Sequence, residues 1–169
     1  YASLKDLAGR LSSLPEEMNF LRKIRKIFED RSVMVNSTDK LDWAMGELLA
    51  YATLLTEGHP VRLSGQDCAR GTFSHRHAIV KAEDSEAEYA PLNHLGVPQS
   101  KFEVYNSLLS EYAVMGFEYG YALGMPDGLT LWEAQFGDFV NGAQIIIDQY
   151  LSAAEDKWNN QKGLVLLLP

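Results

Sequence analysis

Cysteine is nearly missing from this chain. Cys68 stands alone among 169 residues, which excludes an internal disulfide and leaves none of the paired spacing of a zinc or redox motif. Such usage fits a reducing compartment. Positive charge is also scarce: 15 Lys and Arg stand against 23 Asp and Glu, giving a formal net charge of -8. No broad basic surface is on offer, which argues against nucleic acid or an anionic membrane as a partner. Long apolar runs are absent too. The longest, Gly163 to Pro169, falls far short of the roughly 20 residues that span a bilayer as a helix. No internal repeat or low-complexity tract interrupts the chain. Because Tyr1 opens in helix-like composition and Pro169 follows directly on an apolar strand pattern, a fragment of a longer protein is expected.

What is present has the apolar and charged fractions of a globular domain, 46% and 22%, enough for one substantial core. Periodicity divides it. Ser3 to Leu14 and Pro15 to Phe28 read as two amphipathic helices, the second with Met18, Leu21, Ile24, Ile27 and Phe28 on one side and a solvated cationic run elsewhere. Asp39 is placed to cap a long helix through Leu41, Trp43, Leu48, Leu49, Tyr51 and Leu55, which Gly58 ends. Short apolar strands follow at Val61 to Leu63, Phe102 to Tyr105, Leu129 to Trp132 and Leu164 to Leu168, with helices from Ser110 to about Leu123 and from about Phe139 to Ala154. Lys81 to Gln99, with Pro91 and Pro98, reads as a loop or excursion. Helices long enough to serve as crossovers between short apolar strands predict an α/β fold: a parallel sheet with helices on both faces, preceded by N-terminal helices.

In such sheets ligands bind beyond the carboxyl ends of the strands. Three places there carry chemistry: Leu63 to Val80, dense in polar groups; Asn106 to Glu111; and Trp132 to Phe139. If the strands are parallel, all three lie along one edge. Glu111, just after Ser110, reads from its neighbours alone as an ordinary first-turn carboxylate favoured by the helix dipole. Phe136 and Phe139, three apart at a helix start, read as core on pattern. His75 and His77 would share a face on a strand, a pattern that suggests metal, but no third ligand accompanies them. Arg70 and Arg76 suit either an acidic substrate or pairing with nearby carboxylates.

The run SGQDCARGTFSHRHA, the run from Tyr105 to Trp158 and the terminal LVLLLP resemble the thiamine diphosphate-dependent decarboxylating dehydrogenases of the 2-oxoglutarate dehydrogenase complex, from about Leu4 to Pro169. The resemblance covers their transketolase-like pyrimidine-binding domain, at 39–169, after an N-terminal helical segment at 1–38. It implies that the complete enzyme oxidatively decarboxylates 2-oxoglutarate with thiamine diphosphate and passes succinyl to the lipoyl group of a succinyltransferase component. The 2-oxoadipate-specific paralogue and a non-catalytic interaction module are the alternatives. The family is homodimeric, with the cofactor at the interface, and its Mg2+ is held by a diphosphate-binding element that nothing here resembles. The isolated fragment is therefore expected to be inactive and to expose an apolar patch. A bacterial source implies the cytoplasm, a eukaryotic one the mitochondrial matrix.

The resemblance also gives residues roles. Glu111 matches the catalytic glutamate that lets the cofactor's own pyrimidine amine act as a base. Phe139 matches the aromatic stacked on the pyrimidine, with Phe136 and Gln135 in the pocket wall. Gln66 stands in a loop that reaches the reactive centre; relatives can carry Glu there, so Gln66 keeps a hydrogen-bonding role.

Overall fold

The computed structural model describes residues 2–37, 40–161 and 163–169. Three helices open the chain, α1 (Ala2–Leu11), α2 (Arg22–Ser37) and α3 (Trp43–Thr56). Strand β1 (Val61–Gly65) follows, then the short pair β2 (Val80–Lys81) and β3 (Glu88–Tyr89), then β4 (Phe102–Asn106). Helix α4 (Glu111–Gly124), β5 (Leu129–Glu133), a broken helical segment and β6 (Leu164–Leu167) complete it.

The main sheet has the order β4-β1-β5-β6, and every pairing in it is parallel. Side chains alternate across it, as the pleat requires. Val61, Leu63 and Leu131 face one core with Leu7 and Leu11 of α1 and Leu48, Ala52 and Leu55 of α3. Trp132 faces the other, against Val114 and Met115 of α4 and Ile146, with Leu164 and Leu166 packed alongside. Both faces are thus covered, in agreement with the expected fold class.

Several boundaries differ from the periodic reading. α1 stops at Leu11, and Pro15 to Asn19 form a turn instead of opening a helix. Ser12 and Ser13 turn their hydroxyls back onto the Ala8 and Gly9 carbonyls, and Pro15 disfavours helical backbone at Leu14. The second helix begins only at Arg22 and runs on to Ser37. Its cationic run is solvated as expected: Arg22, Lys23, Arg25 and Lys26 are exposed, while Phe28 is buried. The proposed cap Asp39 lies outside the described residues. Asp42 caps α3, its carboxylate accepting from the Met45 N–H at 2.7 Å.

The excursion after β1 carries the antiparallel pair β2 and β3, held to α2 by a small cluster of Phe20, Phe28 and Val80. The helix expected from Phe139 to Ala154 is instead broken: a 3₁₀ run Gly137–Ala143, one α turn Gln144–Ile146, a π turn Ile147–Leu151 and a short α-helix Ala154–Trp158. Gly137, Asn141 and Gly142 give its first turns poor helix propensity, and Ser152 binds back to the Ile147 and Asp148 carbonyls at 2.9 Å.

Candidate active site at the strand ends

Register brings the three polar segments level. Gly65 at the end of β1 pairs with Asn106 of β4 on one side and with Glu133 of β5 on the other. A Cβ at Gly65 would stand 2.1 Å from the Glu133 carbonyl oxygen, so only glycine allows the two strand ends to approach this closely. Gln66 after β1, Glu111 after β4 and Gln135 after β5 consequently line one narrow crevice, together with Gly65, Leu109, Val114, Trp132, Glu133 and Ala134.

Glu111 occupies the first position of α4. Ser110 caps that helix, accepting from the Ala113 N–H at 3.4 Å, so the cap does not draw on the glutamate. The Glu111 carboxylate lies over Gly142, where an added Cβ would stand 3.3 Å from Oε2. Among the described residues no hydrogen bond or ion pair engages it. A half-buried carboxylate at a helix N-terminus is thereby left to face the crevice.

Phe136 and Phe139 stand just outside the crevice, next along the chain from Gln135. Their rings meet edge to face at 5.8 Å, and Phe73 meets Phe136 in the same manner at 6.3 Å. Neither is core, contrary to the pattern reading. Phe136, which caps the 3₁₀ run Gly137–Ala143, is half-buried, and Phe139 within that run is 44% exposed.

The polar stretch after β1 is a loop folded on itself, not a strand, so His75 and His77 share no pleated face. Asp67, Gly71, Ser74 and His77 all adopt positive φ. Among the described residues no three His, Cys, Asp or Glu side chains gather to hold a metal ion. Arg70 pairs with Asp67 and donates to the Ser74 hydroxyl at 2.6 Å. Arg76, 1% exposed, lies between Glu47 of α3 and Glu133 and also donates to the Cys68 carbonyl at 2.6 Å. Arg31 of α2 donates to the His75 and Arg76 carbonyls at 3.0 and 2.6 Å. Both loop arginines are therefore committed to pairs within the chain. Burial, reinforced by Glu133, pushes the Cys68 thiol up to about 12, and the thiol donates to the Tyr105 carbonyl. It is a packing group, not a nucleophile.

Glu47, Glu133 and Arg31 did not stand out in the sequence. Glu47 is the sole charged residue within the apolar helix Trp43–Thr56, and Glu133 ends an otherwise uncharged strand; a lone carboxylate in such settings is the available clue.

The histidines make the loop sensitive to acid. His75 Nδ1 and His77 Nε2 are buried without a hydrogen-bond partner among the described residues. Burial lowers both pKa values below the ordinary 6.5, helped by Arg76 at His75 and by Arg31 at His77. Below that value the unfolded chain takes up protons that the folded chain refuses, so stability is lost as pH falls from about 6.5. Thermal melts from pH 7.5 to 5.5 should show a falling midpoint, with a shallower fall in His77→Asn. Equal slopes in the two proteins would remove His77 from this account.

Comparison with known proteins bears on what binds here. Residues 39–169 match the family model described as transketolase, pyrimidine binding domain. The chain is similar to curated proteins named 2-oxoglutarate dehydrogenase E1 component. It is 53% identical to that of Rickettsia felis over 167 residues, covering 99% of this chain and 17% of the relative. It is 53% identical to that of Haemophilus influenzae over 163 residues, 96% of this chain and 17% of the relative. For Brucella ovis the identity is 47% over 167 residues, 99% and 17% respectively. The chain thus spans about a sixth of the length of the relatives it matches.

Proposed function

This chain belongs to the transketolase pyrimidine-binding domain family, and from that premise we propose that it forms the pyrimidine side of a thiamine diphosphate site in a 2-oxoglutarate dehydrogenase. The observation that carries the reading is the crevice itself. Its sides are apolar, from Leu109, Val114, Trp132 and Ala134, and its polar residues are Gln66, Glu111, Gln135 and Glu133, the last with its carboxylate held by Arg76. A flat ring with hydrogen-bonding edges fits that chemistry.

Thiamine diphosphate, when bound, supplies the nucleophilic carbon and the electron sink that decarboxylation of a 2-oxo acid needs. The protein's part follows from the residues. Glu111 holds and exchanges a proton at a pyrimidine ring nitrogen; its position, poised over Gly142 and free of other partners among the described residues, suits that work. Gln66 and Gln135 offer amide groups to fix the ring. Phe139 supplies an aromatic face and Phe136 supports it edge-on.

The diphosphate and Mg2+ fall, in this reading, to the part of the enzyme that this chain does not span. Around the crevice, Phe73, Leu108, Leu109, Tyr112 and Phe139 are exposed, Leu108 completely. An apolar rim of this kind supports a homodimer in which the second subunit closes the site. The lipoyl-bearing succinyltransferase as acceptor and a bacterial cytoplasmic location complete the proposal. No described helix is long and apolar enough to cross a membrane.

The test is calorimetry with thiamine diphosphate and Mg2+ on the full-length enzyme carrying this segment and on the isolated chain, with circular dichroism as the check on folding. Saturable binding is expected for the former only. Tight magnesium-dependent binding by the isolated chain would overturn the division of the site. Turnover of 2-oxoglutarate against 2-oxoadipate by the full-length enzyme decides the substrate.

A further inference from the structure

We propose that Arg76 is a positioning residue that sets the gap between the two amide-bearing walls of the crevice, so that its replacement weakens cofactor binding without removing the chemistry. The proposal rests on the thiamine diphosphate reading above and extends it to a residue that does not touch the crevice.

The geometry is that of a clamp. A guanidinium has five N–H groups, and all five of Arg76 are used. Nε and Nη2 donate to the Glu47 carboxylate, Nη1 and Nη2 to the Glu133 carboxylate, and Nη1 to the Cys68 carbonyl. One side chain thereby ties α3, the loop after β1 and the end of β5. Cys68 lies two residues beyond Gln66, and Glu133 two residues before Gln135. A second tie runs parallel to the first, from the Thr72 hydroxyl to the Gln135 carbonyl at 2.8 Å. The same two strand ends are in backbone contact where Gly65 meets the Glu133 carbonyl.

Stability is a poor reason for such a cluster. One buried cation between two carboxylates leaves a net negative charge, and each buried ion pays a desolvation penalty that well-packed apolar residues avoid. What the cluster does provide is directional geometry: a planar fork fixes two carboxylates and a carbonyl at once, which an ammonium or an apolar side chain cannot reproduce. Glu133 lines the crevice while Arg76 and Glu47 stand behind it, and Cys68 follows Gln66 by two residues, so the crevice is the feature that depends on that geometry. Glu111 stands apart, on α4, so the proton-exchanging group stays in place when the clamp is loosened.

Arg62 supplies the control. It is also part-buried, in a two-bond pair with Glu118 at 2.8 and 2.9 Å, and is flanked by the rings of Tyr105 and Tyr121. It lies one residue from the start of β1, at the end of the sheet away from the crevice.

The experiment uses the full-length enzyme as wild type, Arg76→Lys, Glu47→Gln and Arg62→Lys. Thiamine diphosphate dissociation constants come from calorimetry with Mg2+, turnover is measured at saturating cofactor, and amide hydrogen exchange is followed in the loop from Gln66 to His77 without cofactor. Arg76→Lys and Glu47→Gln should each raise the dissociation constant at least about tenfold, keep turnover within about threefold and speed exchange in the loop. Arg62→Lys should lower the melting temperature and leave the constant and the loop unchanged. If Arg76→Lys does not fold, Glu47→Gln carries the test, since its amide keeps the shape but breaks the charge pair, and Glu47 lies on α3 outside the crevice. Unchanged affinity in these variants, or an equal loss in Arg62→Lys, overturns the clamp. Failure of the wild type to bind thiamine diphosphate overturns the function proposal beneath it, and the clamp with it.

Discussion

Replacing Glu111 with alanine in the full-length enzyme is expected to slow decarboxylation by at least about a hundredfold, the lower range for loss of a group that moves a proton in the reaction. The same loss is expected for Glu111→Gln, because an amide keeps the shape but does not exchange the proton as a carboxyl does. Cofactor affinity should fall much less, since Gln66, Gln135 and Phe139 remain. The competing account makes Glu111 a first-turn carboxylate that only favours the helix dipole. It predicts a stability loss of about 1 kcal/mol at most and normal turnover. The structure sharpens the contrast, because Ser110 alone caps α4 through the Ala113 N–H. Steady-state turnover at saturating thiamine diphosphate, with thermal melts of all three proteins, separates the two accounts. Near-normal turnover in Glu111→Gln would return the residue to the helix-start role.

The second large effect is expected from a single methyl group. In Gly65→Ala the new Cβ would meet the Glu133 carbonyl oxygen at 2.1 Å, a distance that only separation of two paired strands relieves. Overpacking in a well-packed core costs about 1 to 3 kcal/mol, and backbone that cannot rotate away places this substitution at the upper end or beyond. Because the displaced strand ends carry Gln66 and Gln135, cofactor binding should be lost along with stability. Gly120→Ala is the matched control: beyond its own helix backbone nothing lies within 4 Å of its added Cβ, so an exposed helical position gains a better helix former and loses nothing. Thermal melts and cofactor titrations of both variants check the prediction. A Gly65→Ala protein that melts and binds like wild type would show that the strand ends are not held at this spacing.

Much of the scaffold behind these expectations was legible beforehand. Short apolar strands with helices between them can bury both faces only as a parallel sheet, so Val61, Leu63 and Leu131 on one face and Trp132 on the other follow from pattern alone. Ser110 before Glu111 marked the start of α4 for a local reason, since its hydroxyl satisfies an N–H three residues on. Turn chemistry is less legible. The serines that end α1 act through bonds back to carbonyls four residues earlier, and a count of apolar positions passes over them. The helix expected from about Phe139 to Ala154 breaks for a similar reason, because the apolar spacing continues through residues whose backbone preferences break the helix.

Local chemistry, then, was enough to specify the layers, the strand edge at which the three polar segments gather, and the helix start at Ser110; Gln66, Glu111 and Gln135 stand out within those segments only through the family resemblance. It left undecided where the charges of the Leu63 to Val80 loop go. Arg76 reaches Glu47 across 29 positions and Glu133 across 57, and Arg31 reaches the loop carbonyls across 44 and 45. Side-chain pairings over such separations depend on how α3, the loop and β5 converge in space, and no spacing rule encodes that. Packing therefore turned two arginines suited equally to substrate or structure into internal ties, one of them a buried clamp behind the crevice.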